Sequence, residues 1–191
     1  MSAFVIGNGE SRSNIVLTDL DGMTYGCNAL YRTFTPDVLV ATDDPISRSI
    51  QSSGYARNNT FYTRKTYHGT GAKKLRPPFS KWGSGPNALH LAVYDKHTDI
   101  TLIGFDLGSV HRTHNNMYAG TEFYTGIDQV PYSHTNWTHQ IQTIMQMAPN
   151  VQFTIAIGRE TCNIVQCLGV LENVKIITIQ EFINNNMEIT I

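Results

Sequence analysis

The stretch that decides the fold is AFVIGNGES, which runs from Ala3 to Ser11. Its four consecutive apolar residues predict a short strand that is buried on both faces, as in a parallel sheet. The strand leads directly into Gly7, Asn8 and Gly9, where glycines let the backbone approach a ligand and the amides can hold a phosphate or a ribose. A tight turn between a strand and a helix would use the same glycines. No third glycine follows and no Gly-Lys-Ser/Thr sequence, so neither the dinucleotide fingerprint nor the P-loop is complete.

Other predicted strands also end in small or polar residues. The second ends at Asn28, the third runs into Thr42-Asp43-Asp44 with Pro45 closing it, and a later one ends at Asp106. Ligands of open parallel sheets lie in the crevice beyond the carboxyl ends of the strands. We therefore expect Asn28, Asp43 and Asp106 to share one crevice with the glycine loop.

The rest of the chain alternates strands with helices. Pro86 and the apolar spacing after it predict a helix that begins near Ser84, and a second helix begins after Ser133 or Thr135. This alternation predicts an α/β fold: a single Rossmann-like domain over residues 1–191, with a mostly parallel sheet of five to seven strands and helices on both faces. Residues 108–133 lack periodicity and are expected to form a long lid loop.

Composition excludes several classes of protein. The 191 residues are 41% hydrophobic and 15% charged with a net charge of -1, which is typical of a soluble globular chain. The only basic cluster is short, so we expect no binding to duplex nucleic acid, and no apolar run is long enough to span a membrane. The chain begins its first strand at once, leaving no room for a signal peptide. Three sparse cysteines, interpreted as small core residues, favour a reduced, cytoplasmic setting.

Six short motifs occur in one order between about Ala3 and Ile157: GNGES, YGCNALY, GSGPNALHLAV, ITLIGFDLG, MYAGTEF and YSHTNWTHQIQTI. This order resembles the bacterial lipooligosaccharide sialyltransferases of glycosyltransferase family 42. The opening motif also resembles that of a broader group that includes archaeal hydroxymethylpterin pyrophosphokinases. Small chains of this type look like proteins carried by tailed phages, and the cytoplasm would then be that of the host cell.

The resemblance implies a metal-independent, inverting glycosyltransferase that uses a CMP-sugar as donor and needs no cofactor. It implies that Asn8, Ser11 and Asn28 contact the nucleotide, and that Ser84 and Gly85 offer backbone contacts to the base. The acceptor glycan and any homo-oligomeric assembly stay open.

The resemblance also implies two catalytic residues. Tyr118 of the lid would hydrogen-bond the leaving phosphate, and His134 would act as general base on the acceptor hydroxyl. An imidazole suits that role because its pKa lies near neutrality. Two positions depart from the family pattern: Glu10 replaces a proline, and Gly108 replaces a tyrosine that would stabilise the phosphate.

Three alternatives remain open. Asp43 and Asp44 would hold Mg²⁺ in a phosphotransferase or a nucleotide hydrolase, since carboxylate oxygens suit that ion. A non-catalytic phage binding or assembly protein could keep the fold and lose the chemistry, as the short chain and Gly108 suggest. The histidine pairs 111/114 and 134/139 are compatible with zinc, although the spacing of the second pair is poor for one helical face.

Overall fold

The computed structural model describes residues 2–108, 115–126, 128, 135–159 and 161–186. Its strands are β1 (Ser2–Ile6), β2 (Met23–Cys27), β3 (Val38–Ala41), β4 (Thr60–Thr63), β5 (Lys73–Lys74), β6 (Asp99–Ile103), β7 (Gln152–Ile157) and β8 (Val174–Thr178). Its α-helices are α1 (Asp44–Ser52), α2 (Tyr55–Asn58), α3 (Ser84–Tyr94), α4 (Thr135–Met147) and α5 (Ile179–Asn186). Short 3-10 segments occupy several of the connections.

The strands form one sheet in the order β5-β4-β3-β2-β1-β6-β7-β8, and every neighbouring pair is parallel. This confirms the predicted α/β class with a parallel sheet. The sheet has eight strands where five to seven were expected, because the two-lysine strand β5 is too short and too polar to carry a strand pattern. The chain builds outward from β1 to β5 and then returns to the other side of β1, so the strand order switches between β1 and β6.

Strand β1 is the centre of the sheet, and its residues alternate between two hydrophobic cores. Val5 pairs with Tyr25 on one side and with Leu102 on the other. Val5 belongs to the core that α3 and α4 cover, whereas Phe4 and Ile6 belong to the core covered by α1, α2 and α5. The prediction of helices on both faces is therefore confirmed.

Helix α1 was not predicted from the sequence. Pro45 was expected only to end the third strand, but it lies in the first turn of this helix, where its missing amide costs nothing. Ile46 and Ile50 are buried four residues apart on the face toward the sheet. That i, i+4 spacing after an Asp-Asp-Pro start was the available signal.

The described part of the predicted lid, residues 115–126, packs against the ends of β1 and β2. The Met117 amide donates to the Asn8 carbonyl oxygen at 2.8 Å. Arg32 donates to the Thr121 hydroxyl at 2.9 Å and to the Glu122 carbonyl oxygen at 3.1 Å. These bonds fix the segment to the sheet from two sides.

The cysteine interpretation holds only in part. Cys27 is buried as expected, whereas Cys162 is half-buried and Cys167 is exposed. No helix in the part of the chain that the structure describes combines the length and the apolar character needed to cross a bilayer.

Candidate functional site

A cleft of about 290 Å³ lies at the carboxyl edge of the sheet. The loops after β1 and β6 form its floor, the ends of β2, β3 and β4 extend it to one side, and the starts of α3 and α4 close it. Such a switch point in the strand order is where parallel α/β proteins bind ligands. The volume is at the lower end of the range that is typical of small-molecule sites, about 300–1,000 Å³.

Most of the predicted nucleotide-binding residues line this cleft. They are Gly7, Asn8, Gly9, Asn28, Asp43, Ser84, Gly85 and Asp106. Ser11 and Tyr118 are not among the lining residues. His134 lies outside the described residues, as do His111 and His114, so the catalytic role of His134 stays a prediction.

Three amides of the glycine loop bond to protein atoms. Gly7 N–H donates to the Ile103 carbonyl oxygen at 2.8 Å, and Gly9 N–H donates to that of Gly104 at 2.9 Å. The next amide, that of Glu10, donates to Asn115 Oδ1 at 2.8 Å. The loop was expected to offer these amides to a phosphate or a ribose. The two glycines allow the loops after β1 and β6 to meet, and a contact of this loop with a ligand stays a prediction.

Asp106 joins three parts of the cleft floor. The residue is 3% exposed. Its Oδ2 accepts a hydrogen bond from the Ser11 amide at 3.0 Å, and its Oδ1 accepts one from the Thr161 hydroxyl at 2.8 Å. Both carboxylate oxygens therefore have protein partners, and Asp106 ties the loop after β1 to the segment after β7.

Asn28, Ser84 and Thr42 form a hydrogen-bonded chain across the cleft wall. Ser84 Oγ donates to Asn28 Oδ1 at 2.8 Å and accepts from the Thr42 amide at 2.9 Å. Since the Ser84 proton points at Asn28, the Thr42 hydroxyl at 2.9 Å must donate to Ser84 Oγ. Asn28 itself adopts a left-handed backbone conformation with φ of 51°. Its Oδ1 is thus occupied, and its Nδ2 has no acceptor among the described residues.

Carboxamide and aromatic side chains that were not predicted as site residues complete the wall. Asn115, Asn116, Asn136 and Gln140 line the cleft together with Trp137. Trp137 is 44% exposed, and Gln140 Oε1 accepts from the Gly83 amide at 3.0 Å. For Asn136, Trp137 and Gln140, the available signal was the run of polar residues and tryptophan that opens the helix after the predicted lid.

Two cations also line the cleft. Lys81 is exposed. Arg64, directly after β4, donates from Nε to the Ser80 carbonyl oxygen at 2.7 Å and from Nη2 to those of Lys81 and Trp82, each at 2.8 Å. No carboxylate among the described residues forms an ion pair with Arg64.

Arg12 and Tyr118 lie beneath the glycine loop. Arg12 is 3% exposed; its Nε donates to the Gly7 carbonyl oxygen at 2.6 Å, and its Nη2 lies 3.5 Å from the Tyr118 hydroxyl. That hydroxyl is also 2.6 Å from Thr33 Oγ1, and Tyr118 is only 6% exposed. The described contacts of Tyr118 are thus with the protein interior, and its proposed contact with a leaving phosphate stays a prediction.

Ser11 is a predicted site residue and Cys27 lines the cleft, and each has a buried polar group. The Ser11 hydroxyl is buried without a hydrogen-bond partner among the described residues, while its amide serves Asp106. Burial raises the pKa of the Cys27 thiol to about 12, although the nearby Arg12 lowers it. A thiol with so high a pKa stays protonated at neutral pH, so Cys27 is an unreactive part of the cleft floor.

The paired carboxylates Asp43 and Asp44 have different surroundings. Asp43 is exposed and lines the cleft. Asp44 forms an ion pair with Arg48 of α1 at 3.1 Å and borders a separate shallow depression. Among the residues that the structure describes, no three His, Cys, Asp or Glu side chains are grouped so that they could hold a metal ion.

Comparison with protein-family models, with curated proteins and with solved structures gives no match to this chain. The assignment of the site therefore rests on its own residues.

Proposed function

We propose that this chain binds a nucleotide-linked sugar in the cleft and transfers the sugar as a small, metal-independent glycosyltransferase of the sialyltransferase type. The observation that carries the proposal is the lining of the cleft at the strand-order switch. Six carboxamide side chains and one exposed tryptophan surround a space of nucleotide size: Asn8, Asn28, Asn115, Asn116, Asn136, Gln140 and Trp137.

Carboxamides suit a base or a sugar because each combines an acceptor oxygen with two donor hydrogens. Asn28 has the clearest role. Its oxygen is held by Ser84, so its amino group is oriented and available to an acceptor on the ligand. Trp137 offers an aromatic plane on which a base can stack, an interaction worth about 1–3 kcal/mol per base.

The proposed reaction needs one base. As the acceptor oxygen bonds to the anomeric carbon, its proton passes to the imidazole of His134. The bond between that carbon and the phosphate oxygen breaks, and the nucleoside monophosphate leaves with its electron pair. Removal of a general base usually costs about 10²–10⁴-fold in rate. We expect His134→Ala to lower turnover at least tenfold, and a smaller loss would remove His134 from the mechanism.

Calorimetric titration with CMP, UMP, GMP and AMP, each with and without Mg²⁺, tests the binding step. We expect selective CMP binding that does not depend on metal. Trp137→Ala should weaken it by about 5–150-fold, which corresponds to the loss of one stacking interaction. Tyr94→Ala is the matched control, because Tyr94 is an aromatic residue with 60% exposure that does not line the cleft.

Two other outcomes would redirect the assignment. Purine nucleotide binding that requires Mg²⁺ and is lost in Asp43→Asn would support the phosphotransferase or hydrolase alternative, which the position of Asp43 in the cleft favours. Absence of binding at millimolar nucleotide would support a binding or assembly protein without catalysis.

A further inference from the structure

We propose that Arg64 recognises the anionic group of the ligand, so that the phosphate lies at the β4 side of the cleft and not on the glycine loop. The nucleoside then extends from Arg64 toward Asn28 and Trp137. This inference rests on the proposed function and adds to it the orientation of the ligand.

The glycine loop is a poor place for a phosphate. The amides of Gly7 and Gly9 donate to carbonyl oxygens of the loop after β6. The Asp106 carboxylate adjoins Gly9 so closely that a Cβ on Gly9 would lie 2.6 Å from its Cγ. A phosphate placed there would meet a carboxylate, and like charges at such a distance repel.

Arg64 has the opposite properties. Its Nε and both hydrogens of its Nη2 serve three backbone carbonyl oxygens, so the guanidinium plane is fixed before any ligand binds. Its Nη1 has no acceptor among the described residues, and no described carboxylate forms an ion pair with it. An arginine that is already oriented loses little freedom when it binds, and the two N–H donors of its Nη1 remain for phosphate oxygens.

The spacing of the strands indicates how long a ligand must be to contact both Asn28 and Arg64. Asn28 follows β2 and Arg64 follows β4, and these strands are separated by β3 alone. Two inter-strand spacings amount to about 10 Å. Strand ends this far apart suit a nucleoside phosphate, which can place its base among the carboxamides and its phosphate at Arg64.

The experiment compares a nucleoside monophosphate with its neutral nucleoside, using the base that the titration panel selects. Wild-type protein should bind the monophosphate at least tenfold more tightly. Arg64→Gln should weaken the monophosphate by about 10–100-fold, as expected when a charged hydrogen-bond partner is lost. The affinity for the nucleoside should not change in this variant, so that the affinities for the two ligands become nearly equal. Arg64→Lys should restore part of the difference.

Nucleoside affinity is the internal control for cleft shape, because Arg64 also holds the backbone of residues 80–82. Arg57→Gln, an exposed arginine of α2 that does not line the cleft, controls for net charge. If Arg64→Gln weakened the binding of both ligands equally, the role of Arg64 would be to hold the backbone of residues 80–82, and the inference would be overturned. Unchanged monophosphate binding would also overturn it while leaving the proposed function intact. Absence of binding by wild-type protein would overturn both.

Discussion

Gly9 lies where the loop after β1 crosses the loop after β6. Its φ of -67° and ψ of 150° are values that any residue adopts. The constraint is therefore space: a Cβ would lie 2.6 Å from Asp106 Cγ and 2.8 Å from the Gly104 carbonyl oxygen. Neither neighbour can withdraw easily, because the carboxylate is held by two hydrogen bonds and the carbonyl accepts from Gly9 itself.

We expect Gly9→Ala to lower the free energy of unfolding by about 1–3 kcal/mol, the usual cost of overpacking. It should also weaken ligand binding, because the floor of the cleft must shift. Urea denaturation with a fluorescence readout measures the first effect. Gly126→Ala is the control, since none of the described residues lies within 4 Å of its added methyl group. A Gly9→Ala protein as stable as wild type would show that the two loops are not tightly crossed.

At the scale of single elements, α5 begins with a capping box. The Glu181 amide donates to Thr178 Oγ1 at 3.1 Å, while Glu181 Oε2 accepts from the Thr178 amide at 2.7 Å and from its hydroxyl at 2.9 Å. This reciprocal pattern satisfies amides that the first turn of a helix leaves free. The Thr178 amide, and then its hydroxyl, lower the pKa of the Glu181 carboxyl.

The lowered pKa predicts the pH dependence of this helix start. A carboxylate whose pKa is lower in the folded state stabilises that state above its unfolded pKa, and the contribution is lost as pH falls through the folded pKa. Carbon NMR of the Glu181 carboxyl should show a midpoint below the ordinary glutamate value. Thr178→Ala removes the hydroxyl and keeps the backbone amide, so it should raise the midpoint only part of the way toward that value. A midpoint unaffected by Thr178→Ala would contradict the capping box.

Sequence patterns predicted most of the helices and strands, but not α1 or β5. α3 and β6 carry a clear apolar period, so their positions follow from local residues. α1 was missed because its polar start reads as a strand end. β5 was missed because Lys73 and Lys74 have no strand pattern, and their pairing depends on the neighbouring β4.

At the scale of the whole molecule, two hydrophobic cores share the central strands. Leu102 of β6 is 0% exposed in the core beneath α3 and α4. A buried position between two neighbouring strands has little room to collapse after truncation. The central strands should therefore govern global stability.

We expect Leu102→Ala to destabilise the protein by about 2–5 kcal/mol, the range measured for buried leucines. Met147→Ala, at a position that is 65% exposed, should change stability by less than about 0.5 kcal/mol. Chemical denaturation measures both free energies of unfolding, with one common dependence on denaturant concentration (m-value) for all the proteins. Equal effects of the two substitutions would show that the β6 core is not closely packed.

The sequence by itself determined the α/β class and the convergence of polar strand ends on one crevice. Both depend on local apolar runs and on a general property of parallel sheets. Asn28, Asp43 and Asp106 meet there for that reason. Only the tertiary structure decided which groups at the crevice are free. The Gly7 amide is engaged by β6, Tyr118 contacts the interior, and Arg64 is oriented by residues 80–82. These outcomes depend on hydrogen bonds between residues far apart in the chain, which no local pattern encodes.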